Sequence, residues 1–595
     1  MFSHFLRKVI PFGRWAPAAG VKSLTVGERL WHLTPDVDAV FGPASPDFDR
    51  WLADGLAEVV KANPQRTVYR VKLPGGTVYV KHCRITGFRA WAREVLRPAK
   101  ARLEFENALA LRDRGISAVV PLAWGCPDSA WPGESFLITR DREGAVPFIE
   151  FVERVLPTLP PHEHRAVRRQ LARALGEFMA KMHDAGVAHP DPHPGNLLVE
   201  LPPCRVPRFH LIDLHAVRIG RPLSWQESRS NLVLYNRWFQ LRASRADRLR
   251  FWLSYSRSRQ TLTLATADRA REVERATVAS NLRFWARRQS RCLGNNRYFR
   301  RVKTARVRGF AVRDLPDAVV KELLANPDAV FTRPDVTILK DSRTSTVAAL
   351  TIATPEGPRA VVFKRVNVRR WFEPLKNLFR SSPVLRSWVN GHTLRDRWLP
   401  TSRPLLALHR YCRGLPAEGY LLTELVPDAV GLPDAVSGPR FPAFPTQDHT
   451  SDSRHSVLRT QDSVFIPRAA FPSLREKLEK LARTVRTMHD RGVSHRDLKA
   501  PNVLLQGAEP VLIDLVGVQV GRPVPFRQRA RELARLNASF LRSPLVTRVL
   551  RLRFLWAYLA AGPGLGIDWK TWWRTIARAT AAKVMKNRKS GRPLS

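Results

Sequence analysis

The chain contains the same short motif twice, in matching surroundings. HPDPHPGN at 189–196 is matched by HRDLKAPN at 495–502, and each copy is followed by LIDL, at 211–214 and 512–515. A single match to such a pattern arises easily by chance, but two copies followed by the same tetrapeptide do not. The duplication therefore predicts two similar domains, and any interpretation of one copy must also suit the other.

The similarity extends beyond the two motifs. VYVK at 78–81 lies 283 positions before VVFK at 361–364, and MHD at 182–184 lies 306 positions before MHD at 488–490. The first pair has the apolar alternation of a buried strand. The residues before the MHD triplets have helical periodicity, and Gly186 ends the first of these helices.

The ends of the repeat predict the domain boundaries. We expect an N-terminal extension at 1–29, a first domain at 30–290, a basic linker at 291–309 and a second domain at 310–590. An additional segment near 433–472 is rich in Pro, Ser, Asp and Thr, which is typical of a mobile loop. A chain of 595 residues with 44% hydrophobic residues can form two cores of this size.

The composition favours an intracellular protein. Its five cysteines are scattered singly, which is more typical of a reducing compartment than of a disulfide framework. The N-terminus lacks the apolar core of a secretory signal, and the longest apolar stretch, 554–567, is too short to span a bilayer. We therefore predict a cytoplasmic protein without a membrane-spanning helix.

The net charge of +47 attracts phosphate-rich partners such as nucleic acid, anionic lipid or a phosphorylated glycan. A basic, solvated surface without a specific partner explains the charge equally well. Because no zinc-finger, ribonucleoprotein or helix-turn-helix signature accompanies the charge, nucleic acid is the least favoured partner.

Each repeat contains a residue for each role in phosphoryl transfer. That reaction needs a cation on the nucleotide phosphates, oxygen ligands for Mg²⁺, and a carboxylate directed at the acceptor hydroxyl. Four residues in each repeat meet these needs: a strand lysine for the phosphates, an aspartate and an asparagine as metal ligands, and a loop aspartate for the proton. The residues in this order are Lys81, Asp213, Asn196 and Asp191 in the first repeat and Lys364, Asp514, Asn502 and Asp497 in the second.

This order of strand, helix and motifs resembles the protein-kinase-like fold over nearly all of both repeats. HRDLKAPN and VLID at 511–514 look like the motifs of the lipopolysaccharide (Kdo/heptose) kinase family. HPDPHPGN is similar to the loop of aminoglycoside phosphotransferases and coenzyme-Q-related atypical kinases. The resemblance implies an α+β fold with two tandem kinase-like domains, each with a small β-rich N-lobe and a mainly helical C-lobe.

The resemblance also implies a function. It suggests an ATP- and Mg²⁺-dependent kinase that transfers the γ-phosphate to a hydroxyl of a lipopolysaccharide core sugar or related glycolipid. Its partner would be an anionic glycolipid or phosphorylated sugar acceptor, with peripheral contact at the inner membrane surface. A protein or small-metabolite kinase is an alternative, as is a pseudokinase scaffold that binds nucleotide or anionic lipid without transfer.

Both repeats depart from the protein-kinase pattern. Neither has a GxGxxG loop, and the corresponding stretches at 63–67 and 341–345 offer backbone amides and hydroxyl groups instead. The metal motif reads DLH at 213–215 and DLV at 514–516 where Asp-Phe-Gly is usual. We expect a constitutive site without an activation loop.

The repeats also differ from each other. In the kinase-like fold a helix glutamate holds the strand lysine, and Glu104 takes this role beside Lys81. The same place in the second repeat holds Ser387, unless Glu373 substitutes. Each copy therefore departs from the pattern in a different place. Two alternatives stay open: both repeats bind nucleotide, or one repeat is regulatory. We expect both repeats to bind nucleotide.

Zinc is an alternative for the first motif, because His189, Asp191 and His193 have the spacing of zinc ligands. Lys499 occupies the place of His193 in the second repeat, and an ammonium group is no zinc ligand. We expect His189 and His495 to brace their loops instead.

The C-terminal segment combines Trp572 and Trp573 with many basic residues. This pattern predicts a helix that packs on the domain through its tryptophans and leaves a charged outer face. The alternative is a helix that lies on a membrane surface.

Overall fold

The computed structural model describes residues 20–41, 46–129, 131–202, 206–263, 267–367, 381–412, 415–437 and 473–590. The chain divides into two compact units, Met1–Ser280 and Asn281–Ser595, here called the first and second unit. Of the additional segment predicted near 433–472, all but 433–437 lies outside the described residues, as does Glu373.

The first unit begins with a seven-stranded antiparallel sheet. Its strands are β1 (Lys22–Val26), β2 (Arg29–Leu33), β3 (Ala57–Asn63), β4 (Arg66–Leu73), β5 (Gly76–Cys83), β6 (Pro121–Pro127) and β7 (Ser135–Arg140). They lie in the order β1-β2-β6-β7-β5-β4-β3. Alternation along β4 and β5 buries Val71, Val78 and Val80 in the core of this sheet. The helices between its strands are α1 (Asp38–Phe41), α2 (Phe48–Ala53), α3 (Phe88–Val95) and α4 (Lys100–Asp113).

The rest of the first unit is mainly helical. Its helices are α5 (Phe148–Glu150), α6 (Pro161–Asp184), α7 (Trp225–Arg242), α8 (Arg245–Ser258) and α9 (Ala267–Arg288), of which the part after Ser280 belongs to the second unit. Two small sheets carry the motif loops between them. Their strands are β8 (Ala145–Pro147), β9 (Val187–Ala188), β10 (Leu197–Glu200), β11 (Arg208–Leu211) and β12 (Arg218–Ile219).

The second unit repeats this architecture. Its large sheet comprises β13 (Phe299–Lys303), β14 (Val307–Val312), β15 (Thr337–Ser342), β16 (Ser345–Thr354), β17 (Gly357–Val366), β18 (Pro404–Cys412) and β19 (Leu415–Glu424). The order β13-β14-β18-β19-β17-β16-β15 matches the first sheet strand by strand. The small sheets comprise β20 (Ala429–Gly431), β21 (Val493–His495), β22 (Val503–Gln506), β23 (Glu509–Leu512) and β24 (Val518–Val520).

The helices of the second unit follow the same order. They are α10 (Asp317–Ala325), α11 (Pro383–Asp396), α12 (Leu432–Ser437), α13 (Leu474–Asp490), α14 (Phe526–Ala538), α15 (Arg548–Ala560) and α16 (Trp569–Lys589). The predicted fold class, α+β with two kinase-like parts, is confirmed.

Two segments predicted to lie outside the domains contain strands. The predicted linker, 291–309, holds β13 and the start of β14, and the predicted extension, 1–29, holds β1. In β13, Phe299 and Val302 pack against the core while Arg301 and Lys303 are exposed. The basic residues on the solvent side made this strand resemble a charged linker in the sequence.

Helix α13 shows why these segments fold as they do. Ser473 caps its first turn by accepting a hydrogen bond from the backbone N–H of Glu476. Apolar residues three or four positions apart, among them Leu478, Leu481 and Val485, form its buried stripe. The equivalent helix α6 ends before Gly186, where φ is +72° and a Cβ would lie 2.1 Å from the Gly220 carbonyl oxygen, so only glycine fits.

The C-terminal helix α16 packs on its own unit. Trp572 is fully buried, with its ring 4.5 Å from that of Phe526 and 5.6 Å from that of Tyr558. The predicted packing of this helix through its tryptophan is therefore confirmed. In the part of the chain that the structure describes, no helix has both the length and the apolar character needed to cross a membrane.

Candidate active site

In the first unit, a buried ion pair joins Lys81 of β5 to Glu104 of α4. The backbone of Lys81 pairs with Val68 of β4 and Leu137 of β7, so the lysine lies on a central strand. Its ammonium contacts the Glu104 carboxylate, and the two side chains are only 14% and 5% exposed. Because each buried charge needs the other, the pair fixes the direction of the lysine side chain.

Asp213 follows β11 and has a left-handed backbone, with φ of +60°. Its Oδ1 accepts a 3.0 Å hydrogen bond from Arg66 Nη1 and lies 3.1 Å from His215 Nδ1. The hydrogen bond with His215, followed by the positive charges of Lys81 and Arg66, holds the pKa of Asp213 well below its usual range. The structure therefore places an anionic oxygen beside the Lys81–Glu104 pair.

The first motif loop runs between β9 and β10. Asn196 Nδ2 donates a 2.9 Å hydrogen bond to the Asp191 main-chain oxygen, which leaves the Asn196 amide oxygen as its free acceptor. The Asp191 N–H donates to His189 Nδ1 at 3.2 Å, and Asn231 Nδ2 of α7 donates to the His189 oxygen at 2.7 Å. These bonds hold the loop while the Asp191 side chain stays exposed.

In the second unit, the strand lysine contacts the aspartate directly. Lys364 of β17 lies with its Nζ 3.5 Å from Asp514 Oδ1, and the side chains are 30% and 41% exposed. Asp514 has the same left-handed backbone as its counterpart, with φ of +53°. The two units thus share the aspartate conformation but differ in how they hold the lysine.

Helix α11 shows which residue of the second unit stands at the place of Glu104. Asn107 of α4 donates to the Leu214 oxygen at 2.8 Å, and Asn390 of α11 donates to the Leu515 oxygen at 2.9 Å. Since these two asparagines are structurally equivalent, Ser387 stands at the place of Glu104, as the sequence indicated. Ser387 is 9% exposed.

The second motif loop is held by equivalent bonds, with two additions at the Asp497 carboxylate. Asn502 Nδ2 donates to the Asp497 main-chain oxygen at 2.9 Å, and the Asp497 N–H donates to His495 Nδ1 at 3.3 Å. In addition, Asn502 Nδ2 donates to Asp497 Oδ2 at 3.2 Å, and Lys499 Nζ lies 3.1 Å from the same oxygen. A cation beside this carboxylate therefore distinguishes the second loop from the first, in which His193 occupies the same place.

The motif histidines are structural. His189 and His495 are 2% and 0% exposed, and burial lowers the pKa of both imidazoles. Each neutral ring accepts from the N–H of the aspartate two residues later. This geometry supports the expected bracing role.

A second pair of buried histidines, for which the sequence predicted no role, contacts residues that bond to the motif loops. His183 donates to Asn231 and His489 donates to Glu532, while the hydroxyls of Tyr255 and Tyr558 donate to their other ring nitrogens. Glu532 also accepts from the His495 N–H at 2.8 Å. The repeated MHD triplet was the signal for this support.

The turns that replace a glycine-rich loop differ between the units. In the turn between β3 and β4, Asn63 Oδ1 already accepts from the N–H groups of Gln65 and Arg66, at 3.0 and 2.8 Å. These two amides, which the sequence suggested as phosphate donors, are therefore engaged. The Arg66 side chain supplies a positive charge at this turn instead. In the second unit, Ser345 stands at the position equivalent to Arg66, after the turn between β15 and β16.

The residues present suit a hard divalent cation. Asp213 with Asn196, and Asp514 with Asn502, offer carboxylate and amide oxygens, the ligand types that Mg²⁺ prefers. Among the described residues, the group of acidic, histidine and cysteine side chains close enough to share an ion is Glu104, Asp213 and His215. That group contains neither His189 nor His193, so the geometry gives no support to the zinc alternative.

The chain is similar to known proteins of one family. Residues 65–255 and 470–558 match the lipopolysaccharide kinase (Kdo/WaaP) family. The lipopolysaccharide core heptose(I) kinase WaaP of Pseudomonas aeruginosa is 28% identical over 203 residues, which cover 32% of this chain and 74% of that protein. The solved structure of WaaP in complex with acyl carrier protein is similar over 42% of this chain and 97% of that chain, at 21% identity and a TM-score of 0.31.

Proposed function

We propose that the chain transfers the γ-phosphate of ATP to a hydroxyl of a lipopolysaccharide core sugar or related glycolipid. The match of residues 65–255 and 470–558 to the lipopolysaccharide kinase (Kdo/WaaP) family, a family of phosphotransferases, supports this proposal. We further propose that it acts in the cytoplasm and meets its acceptor at the inner membrane surface. The net charge of +47 supports an anionic acceptor and an anionic surface.

One observation carries the proposal. In each unit, an aspartate with a left-handed backbone lies close to a lysine on an interior strand of the large sheet. Strained backbone at a charged residue is typical of functional sites, because the surrounding structure must stabilise it. A scaffold that never handled nucleotide phosphates would have no physical need for two such pairs.

The chain's own residues divide the task. Lys81, held by Glu104, and Lys364 would contact the nucleotide phosphates. Asp213 with Asn196, and Asp514 with Asn502, would hold Mg²⁺. When bound, the ion supplies charge neutralisation at the phosphate oxygens.

The loop aspartates would act on the acceptor. Asp191 and Asp497 would orient the attacking hydroxyl and accept its proton. Their loops are fixed by the asparagine and histidine bonds described above, so little ordering is needed when the acceptor binds. Lys499 would add a positive charge beside Asp497, where negative charge accumulates on the transferred phosphoryl group.

The test is a transfer assay with labelled ATP, Mg²⁺ and a lipid A or Kdo glycolipid extract. Asp191→Asn, Asp497→Asn and the double variant are compared with the wild type. We expect the double variant to lose at least about 100-fold in rate, the low end of the contribution of a general base. Asp113→Asn, at a side chain that is 74% exposed, is the control.

The outcomes separate the alternatives. Transfer that survives in the double variant contradicts the assignment of the loop aspartates. Nucleotide binding without transfer to any glycolipid favours the scaffold. Loss in only one single variant shows that one unit performs the chemistry.

A further inference from the structure

A cavity of 680 Å³ lies in the second unit, lined by residues other than those proposed for phosphoryl transfer. Arg395 of α11 and Arg483 and Arg491 from the region of α13 line it, together with the hydroxyl residues Thr484 and Thr487. A volume of this order accommodates a small organic ligand, and arginine forks bind phosphate and carboxylate groups in bidentate fashion.

Trp398 forms part of the wall in a strained conformation. Its φ is +54°, in the region that favours glycine, and its side chain is 51% exposed. It occupies the left-handed position that ends α11, where the Leu399 N–H bonds back to the Leu394 oxygen at 3.0 Å. A bulky aromatic residue rarely occupies such a position, and strain of this kind accompanies binding sites.

The first unit has different residues at the same places. Gly115 takes the position of Trp398, with φ of +67° and the same bond pattern between Ile116 and Leu111. Glu177 stands in place of Arg483, and Ala185 in place of Arg491. Arg395, in contrast, has an arginine, Arg112, as its counterpart. The fold therefore requires neither Trp398 nor the two arginines Arg483 and Arg491.

The charges inside the cavity favour an anion. Glu509 also lines it, but this carboxylate is paired with Lys480 Nζ at 2.7 Å. Arg491 donates through Nη1 to the Trp398 oxygen at 2.8 Å and so holds the strained turn in place. Thr401, which also lines the cavity, donates a 2.7 Å hydrogen bond to the Leu512 oxygen. This bond links the cavity to the end of β23, two residues before Asp514.

We propose that this cavity is a second binding site, for an anionic saccharide: a sugar ring that stacks on Trp398 and carries a phosphate or carboxylate group held by Arg395 and Arg483. An exposed indole offers an apolar face to the C–H groups of a sugar ring, while threonine hydroxyls and arginines match its polar groups. The saccharide class rests on the proposed function, since such a site would hold a charged part of the same glycolipid away from the reacting hydroxyl.

The test is calorimetric titration of the full chain carrying Asp191→Asn and Asp497→Asn, so that binding is measured apart from transfer. The probes are glucose 6-phosphate, glucose and inorganic phosphate. We expect glucose 6-phosphate to bind at least about 10-fold more tightly than either of the other two, because only it engages both the ring and the arginines.

Two variants introduce the residue that the first unit has at the equivalent position. Trp398→Gly and Arg483→Glu should each weaken glucose 6-phosphate binding about 10-fold or more. Arg574→Glu, an equal change of charge at an exposed side chain of α16 that does not line the cavity, should leave it within about 2-fold. Thermal unfolding confirms that each variant is folded, and Trp398→Gly relieves strain and should not lower the melting temperature.

Three results would overturn the proposal: no binding of glucose 6-phosphate, equal binding of inorganic phosphate, or equal losses in Arg574→Glu and Arg483→Glu. Transfer by the wild-type protein is measured in parallel. Absent transfer with saccharide binding intact contradicts only the proposed function, whereas intact transfer without this binding contradicts only the second site.

Discussion

At the scale of single residues, the two units hold equivalent charges in different ways. Lys81 has a buried partner in Glu104, whereas Lys364 contacts the half-exposed Asp514. Asp213 is in turn held by Arg66 from a turn 147 residues away in sequence. Among the residues that the structure describes, the first site therefore has more charged groups of the protein around its aspartate than the second.

This difference predicts unequal effects of one substitution at two equivalent places. Lys81→Met should destabilise the protein by about 3 kcal/mol, because it leaves the Glu104 carboxylate buried without its partner. Lys364→Met should cost less than about 1 kcal/mol, since its ion pair is exposed to water. The free energy of unfolding from urea titration measures both.

A double variant serves as the control for that comparison. Lys81→Met with Glu104→Leu should recover much of the lost stability, because replacing both partners by apolar groups leaves no unpaired charge. Equal losses for Lys81→Met and Lys364→Met, or no recovery in the double variant, would show that the Lys81–Glu104 pair is not the source of the difference.

At the scale of elements, helices α4 and α11 support the turns that hold Asp213 and Asp514, the proposed metal ligands. Each donates one asparagine hydrogen bond to the carbonyl of the residue after the aspartate. That carbonyl belongs to the turn in which the backbone is left-handed. The helix therefore supports the strained turn even in the second unit, where it has no glutamate for the lysine.

We expect Asn390→Leu to destabilise the second unit by about 1–3 kcal/mol, because Asn390 is 6% exposed and the Leu515 carbonyl would lose its buried donor. The affinity for Mg²⁺ and ATP at Asp514 should fall with it. Thermal unfolding and nucleotide titration give the two values. Asn390→Asp keeps the size of the side chain but removes the donor; stability and affinity at the wild-type level in this variant would rule out the bond as the cause.

At the scale of the whole molecule, both units bury neutral histidines. Burial lowers the pKa of His183 to about 4 in the first unit and that of His409 to about 4 in the second. The unfolded chain takes up protons near pH 6.5, whereas these buried rings do not until about pH 4. Stability is therefore complete above pH 6.5 and falls as the pH drops towards 4.

This predicts a pH-dependent free energy of unfolding. For His183 the loss between pH 6.5 and 4 should reach about 3 kcal/mol, at 1.36 kcal/mol for each unit of pKa. His183→Gln should reduce the slope of the free energy against pH, measured by urea titration across this range. His162→Gln, on the same helix at a side chain that is 82% exposed, is the matched control, and an equal slope in both variants would contradict the prediction.

Much of the fold could be predicted because it is written in local patterns. Strand alternation around Lys81 and Lys364, the helical stripe before Asp490 and the repeated motif loops each involve neighbouring residues. The strands of 291–309 were missed because arginines alternate there with apolar residues. The contacts of Arg66 and of His215 with Asp213 could not be predicted in the same way. Neither residue belongs to a periodic pattern, so the sequence does not indicate which residue each side chain contacts.

The sequence by itself determined that the chain has two kinase-like halves, that each repeats one lysine, two aspartates and one asparagine in the same order, and that Ser387 replaces Glu104. These follow from repetition and periodicity, which are properties of neighbouring positions. Only the tertiary structure decided that Arg66 contacts Asp213, that Asp213 and Asp514 both have a left-handed backbone, and that Trp398 and three arginines line a cavity. Such contacts arise when packing brings distant segments together, and no local pattern encodes that approach.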